Sequence, residues 1–147
     1  MSRLLASAGG LGWVPVAAGT VASAVAAVAG FGLLWLSPWV LVGGALFATG
    51  AGVVALRRLA PGTVTRDPGW IVIDEVAGQW IAMTGLIGWR HAGWGTLAAF
   101  ALFRAFDIAK PGPIGWIDRR HGPLPVMGDD VLAGALVALI LALWRCP

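Results

Sequence analysis

Residues 70–89 read WIVIDEVAGQWIAMTGLIGW. The run is as long as a bilayer crossing, for which about 20 apolar residues suffice. Yet it carries two adjacent acids, Asp74 and Glu75. Ionisable groups beside lipid are costly and persist there as pairs, ligands or proton carriers. That conflict sets the reading of the whole chain: a helical membrane bundle built around buried carboxylates.

Working outward, four more apolar segments can be drawn, over residues 20–36, 39–56, 93–106 and 131–144. Ser37-Pro38 separates the first two, a tight reversal suited to a helical hairpin. The expected architecture is all-α: a polytopic bundle of about five apolar helices forming one membrane-embedded domain, residues 1–147. Composition agrees. Hydrophobic residues make up 59% of the chain and charged residues 12%, with mean hydropathy +0.83. A soluble domain carries about a quarter charged residues. The net charge of +3 is therefore read as topology, with no nucleic-acid partner expected. With the N-terminus inside, Arg3, Arg57, Arg58, Arg66, Arg104, Lys110, Arg119 and Arg120 lie on the cytoplasmic side, against Arg90 and Arg145 outside. This asymmetry is what the positive-inside rule predicts. All seven acidic residues then fall on the cytoplasmic side. The single cysteine, Cys146, excludes an internal disulfide, and no Cys/His spacing suggests zinc. Glycines interrupt the opening MSRLLASAGGLGWVP, so no cleaved signal peptide is expected.

Four of the seven acids crowd into residues 103–134, FRAFDIAKPGPIGWIDRRHGPLPVMGDDVLAG, together with the only lysine, Lys110. Arg104, Asp107 and Lys110 are spaced by three, as neighbours on one helix face. Pro111 and Pro113 bias Lys110 and Gly112 away from helical geometry, so Lys110 is expected to begin a rigid turn. Asp129-Asp130 precede an apolar run, where one acid serves as an N-cap; the second calls for a cation. Together Asp74, Glu75, Asp107, Asp118, Asp129 and Asp130 suggest a metal site facing a phosphate. Hard oxygen donors suit magnesium or manganese. Asp118 is read as an orienting group or a general acid/base, Arg119-Arg120 as a headgroup-facing loop, and His121 as a loop histidine. Gln79 could orient Glu75 but reads more simply as a helix-contact amide. In PVAAGTVAS (15–23), Thr20 is a candidate N-cap with a phosphate-binding role, because helix N-termini bind anions. The echo between IDEVAG (73–78) and GDDVLAG (128–134) suggests two helices with acids at one end and a small-residue face for close packing.

In order and spacing, PVAAGTVAS, IVIDEVAGQWIAM, FRAFDIAKPGPIGWIDRR and GDDVLAG resemble the phosphatidylglycerophosphatase A family, over roughly residues 11–140. The FRxxDxxKPxPIxxxD stretch and the DDxxAG element carry most of the specificity. The resemblance implies a Mg2+-dependent enzyme of the bacterial cytoplasmic membrane with its site on the cytoplasmic side. It would hydrolyse phosphatidylglycerophosphate to phosphatidylglycerol. Family roles carry over to Asp74, Glu75, Asp107, Lys110, Asp118, Asp129 and Asp130. The chain departs from the family at Ala18 and Ala22, where proline and glycine are usual, and at Pro123 and Pro125, where glycines are. The expected roles are metal ligation by Asp74, Glu75, Asp107, Asp129 and Asp130, catalysis by Lys110, Asp107 and Asp118, and substrate binding by Arg104 and Thr20. The rival reading, a cation- or proton-conducting protein, expects acids spread through the membrane's depth. A phosphotransferase of CDP-alcohols would need a DGxxAR array that this chain lacks.

Overall fold

A computed structural model describes residues 1–59, 62–64, 68–90 and 92–144. Every regular element among them is helical. Arg66, Arg145 and Cys146, which figure in the sequence reading, lie outside the described residues. The order is α1 (Ser2–Ala6), a 3₁₀ stretch (Ala8–Trp13), α2 (Ala18–Leu36), α3 (Pro38–Arg57), α4 (Ile73–Thr84), α5 (Ala92–Ala109), α6 (Pro113–Asp118) and α7 (Pro123–Trp144).

The α2–α3 hairpin forms as Ser37-Pro38 suggests. Ser37 is extended, its Oγ accepts from the Trp39 N–H at 3.3 Å, and Pro38 opens α3, where a missing N–H is harmless. At the other end of α2 the expectation fails: the N-cap is Ala17, in a left-handed conformation at φ 49°, and Thr20 lies inside the first turn. No side chain caps that terminus.

Among the described residues, three helices are long and apolar enough to cross a membrane: α2, α3 and α7. Five were expected. The run 70–89 yields only the 12 residues of α4. Val72 stays outside because its N–H bonds to Ala6 O at 2.9 Å, tying α1 to the bundle. Past Thr84 the chain tightens into successive three-residue turns, from Gly85 N–H on Ala82 O to Trp89 N–H on Leu86 O. Gly88, at φ 83°, ends the run in a conformation that favours glycine. In α5, three glycine or tryptophan residues in the first turn plus Arg104 and Asp107 dilute an otherwise sufficient length.

Short α4 is the hub. It packs chiefly on α7, α3 and α2, burying Ile73, Val76, Ala77, Ala82 and Met83. The echoed glycines meet here. A Cβ on Gly134 would run into the Gly78 carbonyl, and one on Gly78 would strike Phe103 and the Asp130 carbonyl. Small residues let two backbones approach this closely. Trp80, in mid-helix, donates its indole N–H to Ala26 O at 2.8 Å, locking α4 to α2. Around this hub the long helices turn Val28, Leu46, Phe47, Leu139 and Leu143 outward, each more than half exposed.

Candidate active site

Asp74 and Glu75 fall in the first turn of α4, where the helix dipole favours negative charge. The Glu75 N–H donates to Asp74 Oδ1 at 3.1 Å. Across from them stands α7, which begins at Pro123 and not after the acids. Pro123 and Pro125 occupy its first turn, the one place where helices tolerate proline. Asp129 and Asp130 are therefore interior helix residues, both buried, and neither caps the helix. A capping role does not explain them.

Consecutive helix residues point about 100° apart, and the two aspartates diverge accordingly. Asp130 turns toward α4: oxygens of Asp74, Glu75 and Asp130 lie within 4.8 Å of one another. Asp107, near the end of α5, is within hydrogen-bonding reach of Asp130 and forms an ion pair with Arg104. Asp129 turns to Lys110, whose Nζ donates to its carboxylate at 2.7 Å and also pairs with Asp118 at the end of α6. So the candidate residues form two adjoining groups. Asp74, Glu75 and Asp130 gather around one point with Asp107 beside Asp130, and Asp118 and Asp129 gather around the lysine.

Lys110 follows the last residue of α5 and adopts φ 43°, while its N–H still bonds Phe106 O at 2.8 Å. As expected, it opens a turn, completed by Gly112 at φ 53°. Burial alone would lower the pKa of its ammonium. Hydrogen bonds and charge from Asp118 and Asp129 outweigh that and push it above the ordinary lysine range. The group stays cationic at any working pH.

On the α2 side, Gly19 is the residue against the acids: a Cβ there would collide with Glu75 Oε1 and lie 3.5 Å from Arg104 Nη1. Ser23 Oγ donates to Gly19 O at 2.8 Å and accepts from Arg104 Nη1 at 3.5 Å. Thr20, one residue on from Gly19, is half-buried. Arg120 lies over the Trp116 ring at 3.6 Å, and His121 is an exposed loop residue. The Ser23–Arg104 contact was not foreseen; no motif announces a serine one turn into a helix as an arginine's partner.

Three carboxylates in one buried space repel and lose hydration, unless protons or a cation neutralise them. Asp130 Oδ1 is buried with no hydrogen-bond partner among the described residues. An all-oxygen donor set with an unfilled oxygen fits a hard divalent cation. A separate cavity of ≈ 640 Å³ opens at the far ends of α2 and α4, between Phe31, Trp35, Leu86, Trp89 and Trp94. No acid lines it.

The family described as Phosphatidylglycerophosphatase A matches residues 4–145. The chain is 33% identical over 147 residues to a Bacteroides thetaiotaomicron protein named "Putative phosphatidylinositol-3-phosphatase", covering 97% of this chain and 92% of that one. It is 37% identical over 142 residues to phosphatidylglycerophosphatase A of Escherichia coli K12, covering 95% and 80%. A third relative, phosphatidylglycerophosphatase A of Haemophilus influenzae, is 40% identical over 78 residues, or 51% and 45% of the two chains. No solved structure matches. With the family match spanning nearly the whole chain and a relative 37% identical over 95% of it, the chain belongs to the phosphatidylglycerophosphatase A family.

Proposed function

We propose that this protein is a magnesium-dependent lipid phosphatase that hydrolyses phosphatidylglycerophosphate to phosphatidylglycerol and inorganic phosphate. The observation that carries the reading is the convergence of acids from α4, α5 and α7 at one end of the bundle, beside a paired lysine. Asp74, Glu75 and Asp130 would hold the cation, with Asp107 adjoining. When bound, it supplies charge neutralisation at the phosphoryl oxygens and a more acidic water. Lys110 has three N–H donors; Asp118 and Asp129 take two, and the third is left for a phosphoryl oxygen. Arg104, held by Asp107 and Ser23, adds positive charge on the α2 side. Such positioning and electrostatics dominate phosphoryl transfer. In the overall reaction water oxygen joins phosphorus, the bond to the glycerol oxygen breaks, and that oxygen takes a proton. Asp118, the more exposed of the lysine's partners, is suited to pass it. Thr20 is assigned to the rim of the substrate site.

The relatives' names differ in headgroup and share a phosphate monoester on a phospholipid. The decisive assay is phosphate release by purified protein from phosphatidylglycerophosphate, phosphatidylinositol 3-phosphate and soluble glycerol 3-phosphate, with and without magnesium. Phosphatidylglycerophosphate should be the preferred substrate. Chelation should lower its turnover by at least about two orders of magnitude, reversibly on adding magnesium. Full turnover in chelator would remove the metal from the mechanism.

The site's place in a bacterial cytoplasmic membrane follows from the same reading. The outward apolar side chains of α2, α3 and α7 form a surface too extensive for a soluble monomer. Inside this shell lie α4 and α5, with the acids toward the cytoplasm. From Asp130 to Trp144, α7 rises about 21 Å at 1.5 Å per residue, less than the roughly 30 Å hydrocarbon core. The carboxylates then meet a headgroup phosphate while the lipid tails stay in the bilayer. In this topology the single cysteine is outside. A membrane-impermeant maleimide should label Cys146 in intact spheroplasts; labelling only after lysis would invert the orientation.

A further inference from the structure

Along one stripe of α4, Glu75, Gln79 and Met83 follow at intervals of four, and this stripe faces α2. A Cβ on Gly19 would meet Glu75, and a Cβ on Gly30 would meet Met83 and Trp80. Gln79, between these contacts, is 0% exposed. Neither its Oε1 nor its Nε2 has a hydrogen-bond partner among the described residues. An amide that tied α4 to α2 would be bonded across the interface. Here that task falls to Trp80, whose N–H reaches Ala26 O, and the neighbouring Ser23 hydroxyl is engaged by Gly19 and Arg104.

A buried amide without partners is unfavourable, and such groups in native proteins call for a specific reason. Helix side chains lean toward the N-terminus, so Gln79 leans toward the turn that carries Asp74 and Glu75. Arg104 Nε and Asp130 Oδ1 are buried and unpartnered as well. Missing acceptors and missing donors around one carboxylate group are completed together by an oxygen ligand that both gives and accepts hydrogen bonds.

We propose that Gln79 is a positioning residue: its amide orders the oxygen ligand that joins Asp74, Glu75 and Asp130 when a divalent cation binds. This rests on the metal reading of the site. It predicts opposite signs for stability and affinity. Gln79→Met removes the unpaired amide and keeps the volume, so the metal-free protein in detergent should melt at the wild-type temperature or above. Its dissociation constant for Mn2+, read from the electron paramagnetic resonance of free Mn2+, should rise about tenfold or more. Gln79→Glu, which keeps an oxygen in place, should recover most of the affinity. An unchanged Mn2+ constant in Gln79→Met overturns the inference, as does a protein too unstable to purify, which marks a helix-contact amide. Asp130→Ala separates the two levels. If it loses Mn2+ while Gln79→Met does not, only the role of Gln79 falls. If the wild type binds no Mn2+, the metal reading falls with it.

Discussion

Asp130→Ala should fold, insert and release essentially no phosphate, with turnover down at least about 1000-fold, while its thermal stability without metal should equal or exceed that of the wild type. The two halves have one cause. In the metal-free protein Asp130 is a buried carboxylate among Asp74, Glu75 and Asp107, and deleting it relieves like-charge repulsion and desolvation. On the proposed metal reading, the same deletion would remove a ligand. Lys110→Ala should also abolish turnover, but with the opposite effect on stability. Asp118 and buried Asp129 lose their shared partner, at a cost of about 1–3 kcal/mol, between the values for exposed and buried pairs. Melting temperatures in detergent and phosphate release with the lipid substrate check both. Full activity in either variant would strike that residue from the mechanism.

Gly134→Ala is the second large effect. The new methyl group would overlap the Gly78 carbonyl, and a backbone oxygen has no rotamer to yield. Helices α4 and α7 must part, and overpacking of this kind costs about 1–3 kcal/mol, against a gain of up to about 1 kcal/mol from alanine's better helix propensity. The same contact sets the spacing between Asp74-Glu75 and Asp130, so activity should fall further than stability does. Gly43→Ala is the matched control. Nothing lies within 4 Å of a Cβ there, so it should be neutral or stabilising by up to about 1 kcal/mol. A Gly134→Ala protein as stable and active as Gly43→Ala would show that the glycine contact does not set the site.

Much of the site's composition was readable before its geometry. The acids stood out because an apolar chain has few other reasons to keep them. The hairpin at Ser37-Pro38 was readable because cap and proline chemistry is local. The paired glycines were hinted at by an echo in sequence. The start of α7 was not readable. HGPLP carries every mark of a loop, and only the register of Pro123 and Pro125 within a first turn lets it become helix. The length of α4 was hidden because apolarity cannot tell a helix from the tight turns that continue it over residues 85–89. Nor could sequence separate Asp129 from Asp130: the helical angle between them is fixed, but which neighbour each meets depends on α5 and α6. Gln79 looked like an ordinary contact amide, since the missing partners that distinguish it are visible only in three dimensions.

The turn at Lys110 has one further consequence. A residue other than glycine at positive φ immediately before a proline, with its amide bound to Phe106 O, has little backbone freedom left. Two carboxylates then fix the side chain. Most of the entropy that a flexible lysine would surrender on gripping a phosphate has already been lost during folding. On the proposed reading the ammonium is held ready for the phosphate, and preorganisation of this kind favours tight capture of a small dianionic group.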